Sequence, residues 1–141
     1  MRANCYIRWY INYINGKINM REKDISFRRG KKGENFACDF LRDIGYKIIH
    51  RNWRCRWGEI DIIAKDGETL VFVEVKTAKS DKFGSPLDWV DGRKQEHLTK
   101  SALQYLMDEV GEDVPVRFDV IAVNLNEVKC EHIKNAFDVQ P

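Results

Sequence analysis

No apolar run in the chain approaches the length needed to span a bilayer, which excludes a helical membrane protein. The four cysteines, Cys5, Cys38, Cys55 and Cys130, form no C-x-x-C pair, and His50, His97 and His132 are equally scattered. That spacing argues against a zinc site. Residues 1–19 carry several apolar side chains, but Arg8, Asn12 and Asn15 interrupt them and no small-residue cleavage site follows, so a secretory signal is not expected. Reduced thiols and a cytoplasmic location are the corresponding expectations. Ile7, Ile11, Ile14 and Ile18 do fall on one helical stripe. Residues 1–26 are nevertheless read as a poorly ordered extension, with Met20 a candidate start, because the patterned sequence begins only after it. Internal repeats, low-complexity tracts and long linkers are also missing, which leaves one domain over 27–141.

The chain has 141 residues, of which 43% are hydrophobic, enough for a globular core. Its net charge of +2 hides an uneven distribution. Residues 1–56 hold 14 Lys/Arg against 5 Asp/Glu, whereas residues 57–141 hold 10 against 17. A basic first half suits a polyanionic partner such as nucleic acid, although ordinary solvated charge gives the same totals.

Periodicity predicts the order α-β-β-β-α-β-β. A helix is expected over 31–44, with Phe36, Ala37, Phe40, Leu41 and Ile44 on its buried face and Gly45 as its C-terminal cap. Strands follow at 46–53, 59–64 and 69–76, the last two joined through Asp66-Gly67, a hairpin signal. Ser85-Pro86 with Asp88 reads as a helix start. Asp91-Gly92 restarts that helix, which runs to about Val110 with Leu98, Ala102, Tyr105 and Leu106 as its buried stripe. Residues 117–123 form a buried strand and 129–137 an edge strand. Strand, long helix and strand imply a right-handed crossover with parallel pairing, so the fold class is α/β, a mixed central sheet with flanking helices.

The charges inside the hairpin carry the functional reading. A two-residue loop at Asp66-Gly67 pairs Lys65 with Glu68, Asp61 with Phe72 and Glu59 with Glu74. Asp61, Glu74 and Lys76 then share a face, with Asp61 and Glu74 as diagonal neighbours roughly 7–8 Å apart. Two such carboxylates can hold one hard cation, Mg²⁺ or Mn²⁺, at about 2.1 Å from each oxygen. A nearby lysine can orient a water or stabilise developing charge, the chemistry of phosphodiester hydrolysis. Glu34 lies on the inward stripe of the first helix, and Lys94 opposes the dipole of the second, as if answering a local negative charge. Glu59 is read as a loop or surface-pair residue. A solvated sheet face closed by ion pairs, with Glu34 a mere helix-start residue, accounts for the same pattern. Arg28, Arg29, Lys31 and Lys32 form one basic group and Arg51, Arg54 and Arg56 a second, placed among Trp53 and Trp57. Phosphates would suit these cations and exposed bases the tryptophans, at least one of which is expected to be core. Arg117 and Asp119 are read as structural.

Asp61 followed by Glu74-Val75-Lys76 resembles the PD-(D/E)xK nuclease superfamily, with Ile60 where a proline leads the motif. More closely, GKKGENFA, GYKIIHRNWR, GEIDIIA, LVFVEVKTA, FGSPLDWV, the Lys94 region and RFDVIAV resemble the YraN-like family of small bacterial proteins. The match runs over about 27–137. The resemblance implies a restriction-endonuclease-like core related to Holliday junction resolvases. It further implies Asp61 and Glu74 as metal ligands with the Val75 carbonyl as a third, Lys76 as catalytic lysine, Glu34 as the helix acid completing the site, and Lys94 or Gln95 as an extra polar residue. The expected function is a Mg²⁺- or Mn²⁺-dependent nuclease acting on DNA, including branched DNA, and a homodimer if two strands are cut symmetrically. A nucleic-acid-binding protein without cleavage and a protein-interaction module are the alternatives.

Overall fold

The computed structural model describes residues 22–78 and 90–138, with side chains over 31–77 and 90–138. The amphipathic stripe at 7–18, the Ser85-Pro86 helix start and most of FGSPLDWV lie outside the described residues. Helix α1 spans Glu22–Asp43, strands β1 Lys47–Cys55, β2 Gly58–Asp66 and β3 Thr69–Ala78, helix α2 Gly92–Tyr105, and strands β4 Val116–Asn124 and β5 Lys129–Ile133. A π turn, Leu106–Val110, extends α2. Helix α1 thus reaches further back than the expected 31, and β5 is shorter than the expected 129–137.

The five strands lie in sequence order, with β1–β2, β2–β3 and β4–β5 antiparallel and β3–β4 parallel. The sheet is therefore mixed, and the α2 crossover gives the expected parallel pair. Its two faces are covered by different helices. Phe36, Ala37, Cys38 and Leu41 of α1 pack on Ile62, Val73, Ile121 and Val123. Leu98, Ala102 and Tyr105 of α2 pack on Ile60, Ile63, Phe72 and Phe118. Trp53 joins this second core edge-on to Tyr105, so it is the core tryptophan anticipated above.

Local chemistry sets the helix ends. Gly45, at φ 98°, closes α1: its amide donates to the Arg42 carbonyl and that of Tyr46 to the Leu41 carbonyl. Only glycine enters this left-handed cap without a steric penalty. The helix consequently stops at Asp43, and Ile44, expected in the core, is 45% exposed. At the start of α2 the Asp91 carboxylate accepts from the Lys94 amide at 2.9 Å, an N-cap that fixes where Lys94 leaves the helix.

The β2–β3 register differs from the expected one by two residues. Asp66 pairs with Thr69, Lys65 with Leu70 and Ile62 with Val73. The loop is Gly67-Glu68 rather than Asp66-Gly67, with Gly67 at φ 60° in the first loop position, where type II′ hairpins place glycine. Asp66 stays in the strand because its carboxylate receives Arg117 at 3.1 Å. An offset of two preserves face parity. Continued by one step, it sets Asp61 directly opposite Glu74, not diagonal to it.

Arg117 and Asp119 are structural. Asp119, 1% exposed, accepts from Arg117 Nε at 2.8 Å, from the Asn135 amide at 3.0 Å and from the Tyr46 hydroxyl at 3.3 Å, with His132 Nε2 at 2.8 Å. A carboxylate can only accept here, so Nε2 carries the proton. Cys38, Cys55 and Cys130 are free thiols, and burial pushes that of Cys130 up to about 12, leaving it inert.

Candidate metal centre

The β2–β3 ladder described above ends at Ile62–Val73. Beyond it Asp61 Oδ2 accepts the Val75 amide at 2.8 Å, so a side chain closes the gap that a backbone carbonyl would fill. Asp61 also departs from simple alternation. Ile62 faces α1, while Ile63 and Ile60 both face α2. A regular strand would put Ile60 and Ile62 on one face. The break falls on Asp61 and lets its carboxylate meet side chains from both layers.

From the α1 side come Glu34 and Glu59. Each can offer an oxygen such that the Glu34, Glu59 and Asp61 ligand atoms lie within 4.8 Å of one another. Glu59 also accepts from Arg54 Nε at 3.1 Å, so the expected surface pair exists, but the same carboxylate belongs to the acid cluster. Glu34 reaches the cluster because α1 runs very close to β3. A Cβ on Gly33 would sit 2.2 Å from Thr77 Oγ1. From the α2 side comes Glu74, whose charge acts on Asp61, with Lys94 Nζ 3.4 Å from its Oε1. The local negative charge that Lys94 answers is therefore Glu74. Lys76 follows two positions on and is exposed; among the described residues it forms no ion pair with Asp61 or Glu74.

The electrostatics of the cluster are unfavourable as it stands. Burial first, then the charge of Glu74, pushes Asp61 up to about 7, against the Val75 hydrogen bond. Burial also raises Glu74, which Lys94 opposes, and burial with the charge of Asp61 raises Glu34. Glu34 and Glu74 have side chains only 15% and 16% exposed, and the Oε2 of each is buried without a hydrogen-bond partner. Buried carboxylate oxygens are normally satisfied. Hard oxygen donors, orphaned lone pairs and mutual repulsion are what a hard divalent cation relieves. The residues present thus fit Mg²⁺ or Mn²⁺, with Glu34, Glu59, Asp61 and Glu74 as the available carboxylates.

The basic residues divide. Arg51 is half-buried, donates to Asn35 at 2.6 Å and lies 3.9 Å from Glu34, so its charge serves the cluster. Lys31 is exposed, also 3.9 Å from Glu34. Arg54 is 77% exposed, and Arg56 and Lys100 lie over the Trp57 ring at 4.4 and 4.8 Å. The side chains of Arg28 and Arg29 lie outside the described residues; Lys32 is half-buried.

Sequence reading missed Asn52. It stands at φ 53° inside β1, and its side chain favours the ionised form of Glu34 against the effect of burial. The available signal was an asparagine within a strand, a residue depleted there and enriched in the left-handed region.

Among the described residues no helix is long and apolar enough to cross a membrane. The model of the uncharacterised protein family UPF0102 matches residues 33–123, a span that contains every carboxylate of the cluster and Lys94. A UPF0102 protein of Thermodesulfovibrio yellowstonii is 53% identical over 108 residues, covering 77% of this chain and 94% of its own. One from Syntrophus aciditrophicus is 47% identical over 116 residues, covering 81% and 91%. One from Caldicellulosiruptor saccharolyticus is 48% identical over 113 residues, covering 77% and 95%. The motif blocks along the sequence and these alignments agree, and the chain belongs to the UPF0102 family.

Proposed function

We propose that this protein is a metal-dependent nuclease that hydrolyses phosphodiester bonds in DNA. The observation that carries the reading is the convergence of Glu34, Glu59 and Asp61, with Glu74 beside Asp61, a buried oxygen without a hydrogen bond on both Glu34 and Glu74, and Lys94 on Glu74. The resemblance of Asp61…Glu74-Val75-Lys76 to the PD-(D/E)xK superfamily supports the same reading, with a restriction-endonuclease-like core.

Each part of the chain has a defined task in it. Glu34, Glu59, Asp61 and Glu74 hold the ion, and the Val75 amide fixes the orientation of Asp61. A bound Mg²⁺ or Mn²⁺ supplies polarisation of the phosphate and a more acidic bound water. Lys94 offsets the charge of Glu74, so the buried acids tolerate an approaching phosphate less poorly. Lys76, exposed and not engaged by either acid, is free to meet the phosphate or orient the attacking water. Arg54, Arg56 and Lys100 with Trp57 offer cations and a ring to the nucleic-acid backbone and bases beside the cluster.

Incubation with linear and branched DNA in Mg²⁺ or Mn²⁺ tests the proposal. Cleavage is expected only with metal, and Asp61→Ala or Glu74→Ala is expected to lower its rate by about 10²-fold or more. Cleavage that survives both substitutions sinks the assignment. Salt-dependent DNA binding with no cleavage of any substrate would favour a binding protein instead.

A further inference from the structure

Strand β1 pairs with β2 through Arg51–Ile62 and Trp53–Ile60, but the Asn52–Asp61 pair between them is skipped. Asn52 has φ 53°. The other described non-glycine residues with positive φ, Val128 and Asn135, sit in turns, so Asn52 is the one within a strand. The register runs unbroken across this position, the bulge of β1 lying between Ile48 and His50, so a left-handed residue here changes the facing of side chains and not the pairing. Across from it, the inward and outward order of β2 fails at Asp61, where Ile60 and Ile63 face α2 and Ile62 faces α1. The Asn52 side chain meanwhile favours the ionised form of Glu34 of α1. One residue therefore touches both departures from regularity that build the cluster. Strained backbone of this kind concentrates where a site must be held in an unfavourable geometry.

We infer that Asn52 is the positioning residue of the acid cluster: its left-handed backbone frees Asp61 from the pleat to face Glu34, and its carboxamide offers that acid a donor. The inference rests on reading the cluster as a metal centre, but half of it concerns geometry alone. Asparagine suits both tasks, since it tolerates the left-handed region and carries a donor amide. Glycine would keep the backbone and lose the donor. Alanine and valine would lose both, valine with the greater backbone penalty.

The test uses the full chain and Asn52→Gly, Asn52→Ala and Asn52→Val. Amide hydrogen exchange at Val75, whose N–H is held by Asp61, reports whether Asp61 stays out of the pleat. Mn²⁺ titration reports the cluster, and thermal melting monitors folding. Asn52→Val and Asn52→Ala are expected to speed Val75 exchange by about fivefold or more. They are also expected to weaken Mn²⁺ binding by about 10–100-fold, the range for residues that orient metal ligands. Asn52→Gly is expected to leave Val75 protection near wild type and to bind Mn²⁺ more tightly than Asn52→Ala. Should Asn52→Val fail to fold, Asn52→Ala decides. The inference is overturned if Asn52→Gly does no better than Asn52→Ala, or if neither readout moves in any variant. If wild type binds no Mn²⁺, the metal-centre reading fails while Val75 exchange still decides the role of Asn52.

Discussion

Asp61→Asn is expected to stabilise the metal-free protein above pH 7 while abolishing its response to metal. In the folded chain the Asp61 carboxyl keeps its proton up to about 7, against an ordinary value of 3.8. Between those values the folded state binds a proton that the unfolded state has released, so stability falls as pH rises from about 4 to about 7. At higher pH the full penalty of a buried carboxylate facing Glu74 is present. Asparagine keeps the shape and can still accept from the Val75 amide, but never ionises. The variant is expected to gain about 2–4 kcal/mol at pH 8 and to lose this part of the pH slope. Urea denaturation in a chelator at pH 5 and pH 8 measures both. Added Mg²⁺ should raise wild-type stability at pH 8 by mass action and leave Asp61→Asn unchanged. A variant whose stability falls with pH as steeply as wild type would show that Asp61 is not the strained group.

Asp119→Ala is expected to produce the largest loss of stability, two strands across the same sheet from Asp61. Burial alone would raise the Asp119 carboxyl, but hydrogen bonds from His132, Arg117 and the Asn135 amide outweigh it and hold the group at about 2. Removing it leaves Arg117, whose side chain is 18% exposed, with Asp66 as its remaining carboxylate partner, and orphans the His132 donor and the Asn135 amide. Breaking a buried ion pair from one side costs about 3–5 kcal/mol. The depressed value carries its own pH signature. The contribution of Asp119 is complete above its ordinary 3.8 and is lost as pH falls through about 2. Acid unfolding of wild type below pH 4 should therefore be steeper than that of Asp119→Ala, as circular dichroism across the titration would record. Equal stability of the two proteins at pH 7 would remove the network from the account. The metal-free protein thus carries two opposite slopes, Asp119 weakening in acid and Asp61 towards neutrality.

The architecture was legible because its determinants are local or periodic. Gly45, Asp91 and Gly111 mark helix ends, and the strand-helix-strand order dictates the parallel β3–β4 pair. The meeting of Asp61 with Glu74 was legible for a less secure reason. The hairpin loop lies one residue further on than the Asp-Gly signal suggests, yet a register offset of two leaves every side chain on its face. The charge on Lys94 pointed correctly to a buried acid because a lysine in a first helical turn needs a compensating partner. What period-two reasoning could not yield was the break in period itself. Asn52 stands left-handed in β1 across from Asp61, and Asp61 and Glu59 share a space with Glu34 that a regular pleat would not provide. Glu59, read as a loop or surface-pair residue, does pair with Arg54 five residues away in the chain, whereas its second neighbourhood depends on α1. Ile44 was placed in the core by helical period, but the glycine cap ended the helix before that period could apply.

The central claim, that the carboxylates of β2, β3 and α1 hold a divalent cation, is tested most directly by diffraction from crystals of this protein soaked in Mn²⁺. The account predicts an anomalous peak among Glu34, Glu59, Asp61 and Glu74, with at least Asp61 and Glu74 as ligands at about 2.1–2.2 Å, and none in Asp61→Asn crystals treated alike. Well-ordered, Mn²⁺-saturated crystals with these carboxylates fully defined and no anomalous density among them would contradict it.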